Sequence, residues 1–322
     1  MALPDGMRLL ERFTLTAPLG VRFWDVATGE MVRAGMTLQG FPIDNPDRTV
    51  RAFPNGSGVM VLRDLPGLRD PDPGTSPVNF AFGDGSDSFW RQWLQPSRSR
   101  RFELTATDDE RRFLPFRFGC DAPQKGFARR LCPPRLPPAS QLVPDAPGDA
   151  LPVYSSPTRR APAGLAVVRA QMLEPPDLGS PPADRVPAAW AFVEAMLDGQ
   201  AVGASYADEQ GRVAVMFPFP APTDGSLLSP PSPPDSSGAG GLLKQRWRVV
   251  LRAYYDRLPR GEVPDLCDVL AQRRATLWED SGLLDPLRAR ELAYASELIV
   301  RSRDSAGSPG EELSELLITP VP

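Results

Sequence analysis

The stretch Ala188–Pro220, AAWAFVEAMLDGQAVGASYADEQGRVAVMFPFP, carries the strongest structural signals in the chain. It predicts three β-strands joined by two tight turns. The apolar run that opens it ends at Asp198-Gly199, a dipeptide typical of two-residue hairpins, and an alternating run follows. The second turn, Asp208–Gly211, ends in glycine where a positive φ is expected, and Arg212–Phe217 alternates again. The stretch holds no chemically reactive group, so it predicts architecture rather than catalysis.

A similar plan occurs earlier, at Val21–Gly67, where polar turns that end in glycine also precede apolar strands. In both regions the last of these strands closes with proline, and a longer strand follows after an insertion. The two longer strands are predicted at Arg101–Thr107 and Trp247–Tyr255. We interpret the two regions as copies of one β-module.

Composition supports a β protein with more than one domain. The chain has 322 residues, of which 39 are proline, about twice the usual share of roughly 5%. Proline disfavours helices and suits rigid loops between strands. We predict a mainly all-β fold of two β-sandwich domains with one or two short helices. The predicted domains are residues 1–120 and 161–322, joined by a proline-rich linker at 121–160.

The second predicted domain carries two further features. Residues 221–243 are rich in Pro, Gly and Ser, and predict a disordered insertion. Residues 264–275 place Leu266, Val269 and Leu270 at helical spacing after Asp265, and predict a short helix.

Several functional classes are disfavoured by composition. The net charge of −4 gives no electrostatic case for binding nucleic acid. The chain has no histidine, which removes Ser-His-Asp and Cys-His catalysis and His-ligated metals. We predict no signal peptide, no membrane span and no cofactor or metal.

The three cysteines lack the C-x-x-C spacing of a zinc site. Cys120 and Cys132 bracket a loop rich in proline and arginine, and could pair if oxidised. Reduced thiols are the favoured interpretation, because the chain is predicted to be cytoplasmic, or released only as part of a particle.

Acidic clusters are the remaining candidates for chemistry. Asp84 and Asp87 lie in a Gly-rich loop that contains a fragment of a calcium-binding pattern, and a solvated turn is favoured there. Two other clusters could supply an acid/base pair, although turns are favoured at both. They are Asp108-Asp109-Glu110 and Glu279-Asp280.

Aromatic and basic residues are the candidates for partner binding. The segment SFWRQWL, Ser88–Leu94, predicts a short helix with Phe89, Trp90 and Trp93 on one face. These rings either cover a sheet face or contact a partner. Arg100 and Arg101 belong to a locally basic stretch, which favours contact with an acidic protein surface.

Two resemblances add to this interpretation. Asp25–Gly67 contains D-x-x-T-G, V-x-x-G-M, N-x-S-G-V and L-P-G, and resembles transthyretin-like, carboxypeptidase-regulatory-like β-sandwiches. Ala201–Pro220 resembles the same fold again. Hydroxyisourate hydrolases and intradiol dioxygenases on similar sandwiches use histidines, so their activities do not transfer to this chain.

The overall layout also resembles accessory proteins of phage-tail-like extracellular contractile injection systems. The resemblance is carried by A-P-L-G-V-R-F-W-D at Ala17–Asp25, R-F-L-P at Arg112–Pro115, V-L-R-A-Y-Y-D at Val250–Asp256 and L-L-I-T-P at Leu316–Pro320. It implies a structural subunit of a particle built from a sheath, an inner tube and a baseplate.

Three functional hypotheses follow. The first is a non-enzymatic structural subunit that contacts tube, sheath or baseplate proteins, or further copies of itself. The second is a stand-alone β-sandwich module that binds carbohydrate or peptide. The third is a carboxylate-dependent hydrolase, which needs two acids that face each other across a cleft.

Overall fold

The computed structural model describes residues 18–63, 65, 100–122, 127–128, 132, 148–176, 184–220, 245–305 and 311–320. Within these ranges the regular secondary structure is almost entirely β-strand, with one short helix, which confirms the predicted all-β class. The search for a helix long and apolar enough to span a membrane finds none in these ranges. The predicted helix Ser88–Leu94 and the predicted insertion 221–243 lie outside the described residues.

The first ten strands form three small sheets. Strands β1 to β10 are Leu19–Val21, Phe23–Asp25, Glu30–Val32, Met36–Pro42, Val50–Arg51, Phe53–Pro54, Met60–Leu62, Arg100–Asp108, Phe116–Ala122 and Leu151–Val153. The largest sheet has the order β5-β4-β8-β9, and the two others have the orders β1-β7-β6 and β10-β2-β3. Strand β10 joins β2 in parallel, whereas every other pairing in these three sheets is antiparallel.

The other ten strands form one continuous sheet. Strands β11 to β20 are Leu165–Glu174, Val186–Pro187, Phe192–Leu197, Gln200–Tyr206, Arg212–Pro218, Arg246–Tyr254, Arg274–Trp278, Arg290–Ala293, Glu297–Ile299 and Leu316–Pro320. The main order is β12-β11-β20-β17-β16-β13-β14, while β15 and β19 pair with β11 and β18 pairs with β16.

This sheet curls until its two ends meet. Strand β15 pairs with β11 along its whole length, and β14 packs against β15 next to the turn that joins them. The approach is close, because a Cβ added at Gly203 would lie 2.9 Å from the Cβ of Phe217. Seven strands, β11, β20, β17, β16, β13, β14 and β15, therefore follow one another around a shared interior.

The turns of the opening stretch have the predicted geometry. Asp198 and Gly199 have φ values of 48° and 83°, as a two-residue hairpin with a matching twist requires. Gly211 has φ of 74° and closes the second turn. The three predicted strands of the stretch correspond to β13, β14 and β15.

The single helix of the described ranges, α1, is Leu266–Ala271, inside the predicted 264–275. Asp265 caps it by accepting a hydrogen bond from the backbone N–H of Cys267 at 2.7 Å. Leu266, Val269 and Leu270 are buried, as their helical spacing predicts.

Two separate cores result. The first core is enclosed by the three small sheets and α1, and it also includes Phe192 and Tyr206 of the curled sheet. The second core fills the interior of the curled sheet, with Val193, Ala195 and Leu197 from β13. Every residue of β13 is buried, and the strand contributes Phe192 to the first core.

An aromatic cluster joins the two halves of the molecule. The ring of Tyr154 lies 5.7 Å from that of Phe192 and 5.4 Å from that of Tyr206, both edge to face. The hydroxyl of Tyr206 donates to the carbonyl oxygen of Pro115 at 3.0 Å. Side chains of β13 and β14 thus pack into the first core.

The described end of the predicted linker 121–160 is built into the first core. It contains β10, which is buried beside β2. Arg159 is buried and forks onto Asp25, with nitrogen-to-oxygen distances of 2.6 and 3.0 Å. The finer division into two sandwich domains and a linker stays a prediction.

The two regions interpreted as copies of one module differ in strand pairing. After the first region, the long strand β8 pairs with β4, which is not the first strand of its region. After the second region, the long strand β16 pairs with β13, which is the first strand of its region. The local turn chemistry is shared, and the arrangement of the strands is not.

The cysteine predictions were wrong. Cys132 and Cys267 form a disulfide, with their Cα atoms 5.0 Å apart, so the expected reduced thiols are not found at these two positions. Cys120 is not its partner: it lies on β9, buried in the first core, as a free thiol. The spacing of Cys120 and Cys132 was misleading, because the actual partner lies 135 residues away on α1.

Candidate functional site

The residues predicted to bind a partner are only partly described. Phe89, Trp90 and Trp93 lie outside the described residues. Arg100 forms an ion pair with Asp44, with Nη2 2.7 Å from Oδ1. Arg101 is exposed, and its guanidinium lies beside Gly119. A Cβ built on Gly119 would be 3.5 Å from the Arg101 Nη2. Arg100 is therefore paired with a residue of its own chain, whereas Arg101 lies at the surface.

The acids of the first candidate cluster stabilise a turn. Asp108 is buried beside Arg112, with its Oδ1 2.9 Å from the Arg112 Nη2. Asp109 accepts a hydrogen bond from the Thr37 hydroxyl at 3.0 Å. The turn after β8, which includes Arg111 at φ of 57°, is held by these contacts.

The second cluster is engaged in the same way. Glu279 accepts from Arg290 at 3.0 Å and from the backbone N–H of Arg288 at 3.2 Å. Burial alone would raise the pKa of Glu279, but these two hydrogen bonds and the charge of Arg290 outweigh it and lower the pKa. Asp280 accepts from the backbone N–H of Gly282 at 2.8 Å. Within the described ranges, no three Cys, Asp or Glu residues are grouped as a metal would need.

A cleft of about 310 Å³ lies where the end of β11, strand β12 and the segment after β16 meet. This volume is at the lower end of the range for small-ligand sites. Its apolar lining consists of Pro176, Val186, Pro187, Ala189 and Leu258. Its polar lining consists of Glu174, Tyr255, Arg257 and Arg260.

Glu174 is the centre of the polar side. It is 4% exposed and accepts hydrogen bonds from the Tyr255 hydroxyl at 2.9 Å and from Arg257 Nη2 at 2.6 Å. The Arg257 Nε is 3.1 Å from both carboxylate oxygens, so the guanidinium grips the carboxylate as a fork. The buried charge is thereby paired and hydrogen-bonded.

Tyr255 is held in its neutral form. Burial raises the pKa of its hydroxyl, and the neighbouring Glu174 raises it further through its charge and its hydrogen bond. The phenol therefore stays protonated at neutral pH and serves as a hydrogen-bond donor to Glu174.

The wall of the cleft is rigid and locally strained. Trp190, next to Ala189 of the lining, has φ of 64°, which is rare for a bulky residue. Its indole N–H donates to the carbonyl oxygen of Pro259 at 2.9 Å, and its own carbonyl accepts from Gln272 at 2.7 Å. These contacts hold the segment after β16 in place; strain of this kind is concentrated at functional sites.

Sequence reasoning missed this cleft. Glu174 and Tyr255 are 81 positions apart, and each was assigned to a strand or loop without chemistry. The one signal available was Tyr254-Tyr255, since neighbouring strand residues point to opposite faces and one ring had to be buried.

Comparison with family models, curated proteins and solved structures finds no match to the chain. The functional argument therefore rests on the residues and their geometry.

Proposed function

We propose that the protein is non-enzymatic and acts through protein–protein contacts, as a structural subunit of a phage-tail-like contractile injection particle. The particle is inferred from the resemblance of the four sequence segments described above. The expected partners are tube, sheath or baseplate proteins, or further copies of the chain.

The observation that favours binding over catalysis is the state of the candidate acids. Asp108, Asp109, Glu279 and Asp280 each accept hydrogen bonds from this chain, and Glu174 in the cleft is forked by Arg257. A general acid or base has to exchange its proton with a substrate. Carboxylates that already accept hydrogen bonds from arginine or backbone N–H groups instead stabilise turns and the wall of the cleft.

The packing of the two halves suits a structural subunit. Tyr154, Phe192 and Tyr206 join the first core to the curled sheet, and Ser205 donates to the carbonyl oxygen of Ser155 at 3.1 Å. A body joined in this way can transmit force between the partners on its two sides. Docking would use exposed strand edges and the Phe89, Trp90 and Trp93 segment.

The mass of the full chain in solution tests the proposal. It would be measured by light scattering, first alone and then with tube, sheath and baseplate proteins of a phage-tail-like contractile particle. A defined ring or a stable complex with one of them is the expected result, and Trp90→Ala with Trp93→Ala should weaken it. A monomer that binds none of these proteins would overturn the proposal.

The second candidate, a stand-alone module that binds peptide or carbohydrate, is favoured by the cleft alone. Its apolar lining and its arginines suit a peptide better than a sugar, because Tyr255 is buried and offers no exposed ring face for stacking. A monomer that binds peptides from a library would favour this candidate.

A further inference from the structure

We infer that the cleft beside Glu174 is a binding site for an acidic side chain that is carried, between apolar residues, by a partner polypeptide. The inference rests on the proposed function in one respect, namely that the occupant is a polypeptide. It names the site and the chemistry of recognition, which the proposed function leaves open.

The charge of the cleft favours an anion. Its charged lining is one carboxylate and two guanidinium groups, Glu174, Arg257 and Arg260, which sum to +1. Arg257 donates from Nε and Nη2 to Glu174, and its Nη1 donates no hydrogen bond within the described residues. Arg257 is also 72% exposed at its side chain, so the group that neutralises Glu174 is still open to a ligand.

Arg260 supplies the second cationic group. It is exposed and makes no ion pair with the described part of the chain. It lines the same cleft as Tyr255 and Arg257. An entering carboxylate would thus meet Arg260 and the Nη1 side of Arg257, and such charge-assisted contacts are stronger than neutral ones.

The apolar lining of the cleft accounts for the apolar part of the occupant. Pro176, Val186, Pro187 and Leu258 present carbon atoms only, apart from backbone groups. Polypeptide residues on either side of an acidic one would bury apolar surface here, at roughly 25 cal/mol per Å². A free inorganic anion would gain nothing from this wall, so the cleft favours an acidic residue with apolar neighbours.

The site is formed before any ligand arrives. Trp190 is fixed at both its indole and its carbonyl, and Tyr255 is held by Glu174 and by a backbone hydrogen bond to Arg273 at 2.8 Å. A preformed site loses little conformational entropy on binding.

Two tripeptides test the inference on the full chain, both N-acetylated and C-amidated: Leu-Glu-Leu, and Leu-Gln-Leu as the uncharged control. Binding would be followed by NMR through the backbone amide signals of Ala189 and Leu258. Leu-Glu-Leu should bind about tenfold more tightly than Leu-Gln-Leu, which corresponds to one charge-assisted contact of about 1.4 kcal/mol. Arg260→Glu should abolish this difference.

Arg51→Glu is the matched control, because Arg51 is an exposed arginine on β5 with no ion pair to the described residues. It makes the same charge change far along the chain and should leave the preference intact. Equal binding of both tripeptides, binding of neither, or an equal loss in both variants would overturn the inference. If the chain still assembles with its partners in light scattering, such a result rules out the binding site without contradicting the proposed function.

Discussion

The two cores of the protein are enclosed in different ways. Three small sheets of three, three and four strands surround the first core, and they are not continuous with one another. One sheet that curls on itself surrounds the second core. Backbone ladders alone can therefore hold the second core together, whereas the sheets of the first core are joined by side-chain packing and by isolated backbone bridges such as Phe113–Ser155.

Side-chain ties occur in both regions and differ in burial. The buried Asp25–Arg159 pair and the Cys132–Cys267 disulfide belong to the first core or its borders. In the second region, the Arg185–Glu315 pair is buried as well, whereas Arg212 and Asp208 form a pair on the exposed surface of a turn. The burial of a pair should therefore decide how much stability is lost when the pair is broken.

The largest expected effect comes from Arg159→Ala. Removing one partner of a buried ion pair leaves the charge of Asp25 without compensation, at a cost of about 4 kcal/mol in the free energy of unfolding. Chemical denaturation would measure it. Arg212→Ala, in the exposed pair of the second region, should cost under about 1 kcal/mol. Equal losses in the two variants would contradict the expected difference between a buried and an exposed ion pair.

The disulfide should have the next largest effect. Cys267→Ser should lower the free energy of unfolding by about 3 kcal/mol, because the bond closes a long loop in the unfolded chain. Cys120→Ala is the matched control and should cost less, since only a small buried group is lost. The same denaturation experiment, with and without a reducing agent, should show sensitivity to reduction in the wild type and none in Cys267→Ser.

Adding one methyl group at Gly203 tests how tightly the second region is packed. Gly203→Ala places a Cβ 2.9 Å from the Cβ of Phe217 and 3.0 Å from the carbonyl oxygen of Met216, where β14 meets β15. Overpacking at this closure should cost about 2 kcal/mol. Gly148→Ala, where the added Cβ meets no atom within 4 Å, should be nearly neutral. If both changes are neutral in thermal denaturation, β14 and β15 are not tightly packed and the sheet does not close.

The smallest effect concerns pH and also lies in the second region. Because Arg290 and the backbone of Arg288 lower the pKa of Glu279, the folded state binds a proton there less readily than the unfolded chain. The resulting stabilisation is complete above the unfolded pKa of Glu279 and is lost as the pH falls through the lower folded pKa. Glu279→Gln should therefore flatten the acid side of the stability profile, measured by denaturation at several pH values. An unchanged stability profile would contradict a lowered pKa of Glu279 in the folded state.

The turns and strands could be predicted because their causes are local. Asp198-Gly199 and Asp208–Gly211 specify their own backbone angles, and alternation marks the strands on either side. The helix followed from the cap at Asp265 and three apolar residues at helical spacing. Features of this kind depend on a few neighbouring residues.

The pairing of distant segments could not be predicted. Two similar modules, each with its turns correctly located, pair differently with their long strands β8 and β16. The disulfide joins residues 135 positions apart, and the polar side of the cleft joins Glu174 to Tyr255 across 81. Periodicity and turn chemistry carry no information about such contacts, because these arise only when the sheets pack.

The composition of the first core also determines when the nascent chain can fold. Strand β9 ends at Ala122, yet the core is completed by Phe192, Tyr206 and Leu270. At synthesis rates of about 5–20 residues per second, the ribosome needs on the order of ten seconds to deliver the missing residues. During that time the first core lacks these three side chains, although β1 to β9 are already synthesised. The N-terminal half of this protein is therefore expected to complete its packing only late in translation.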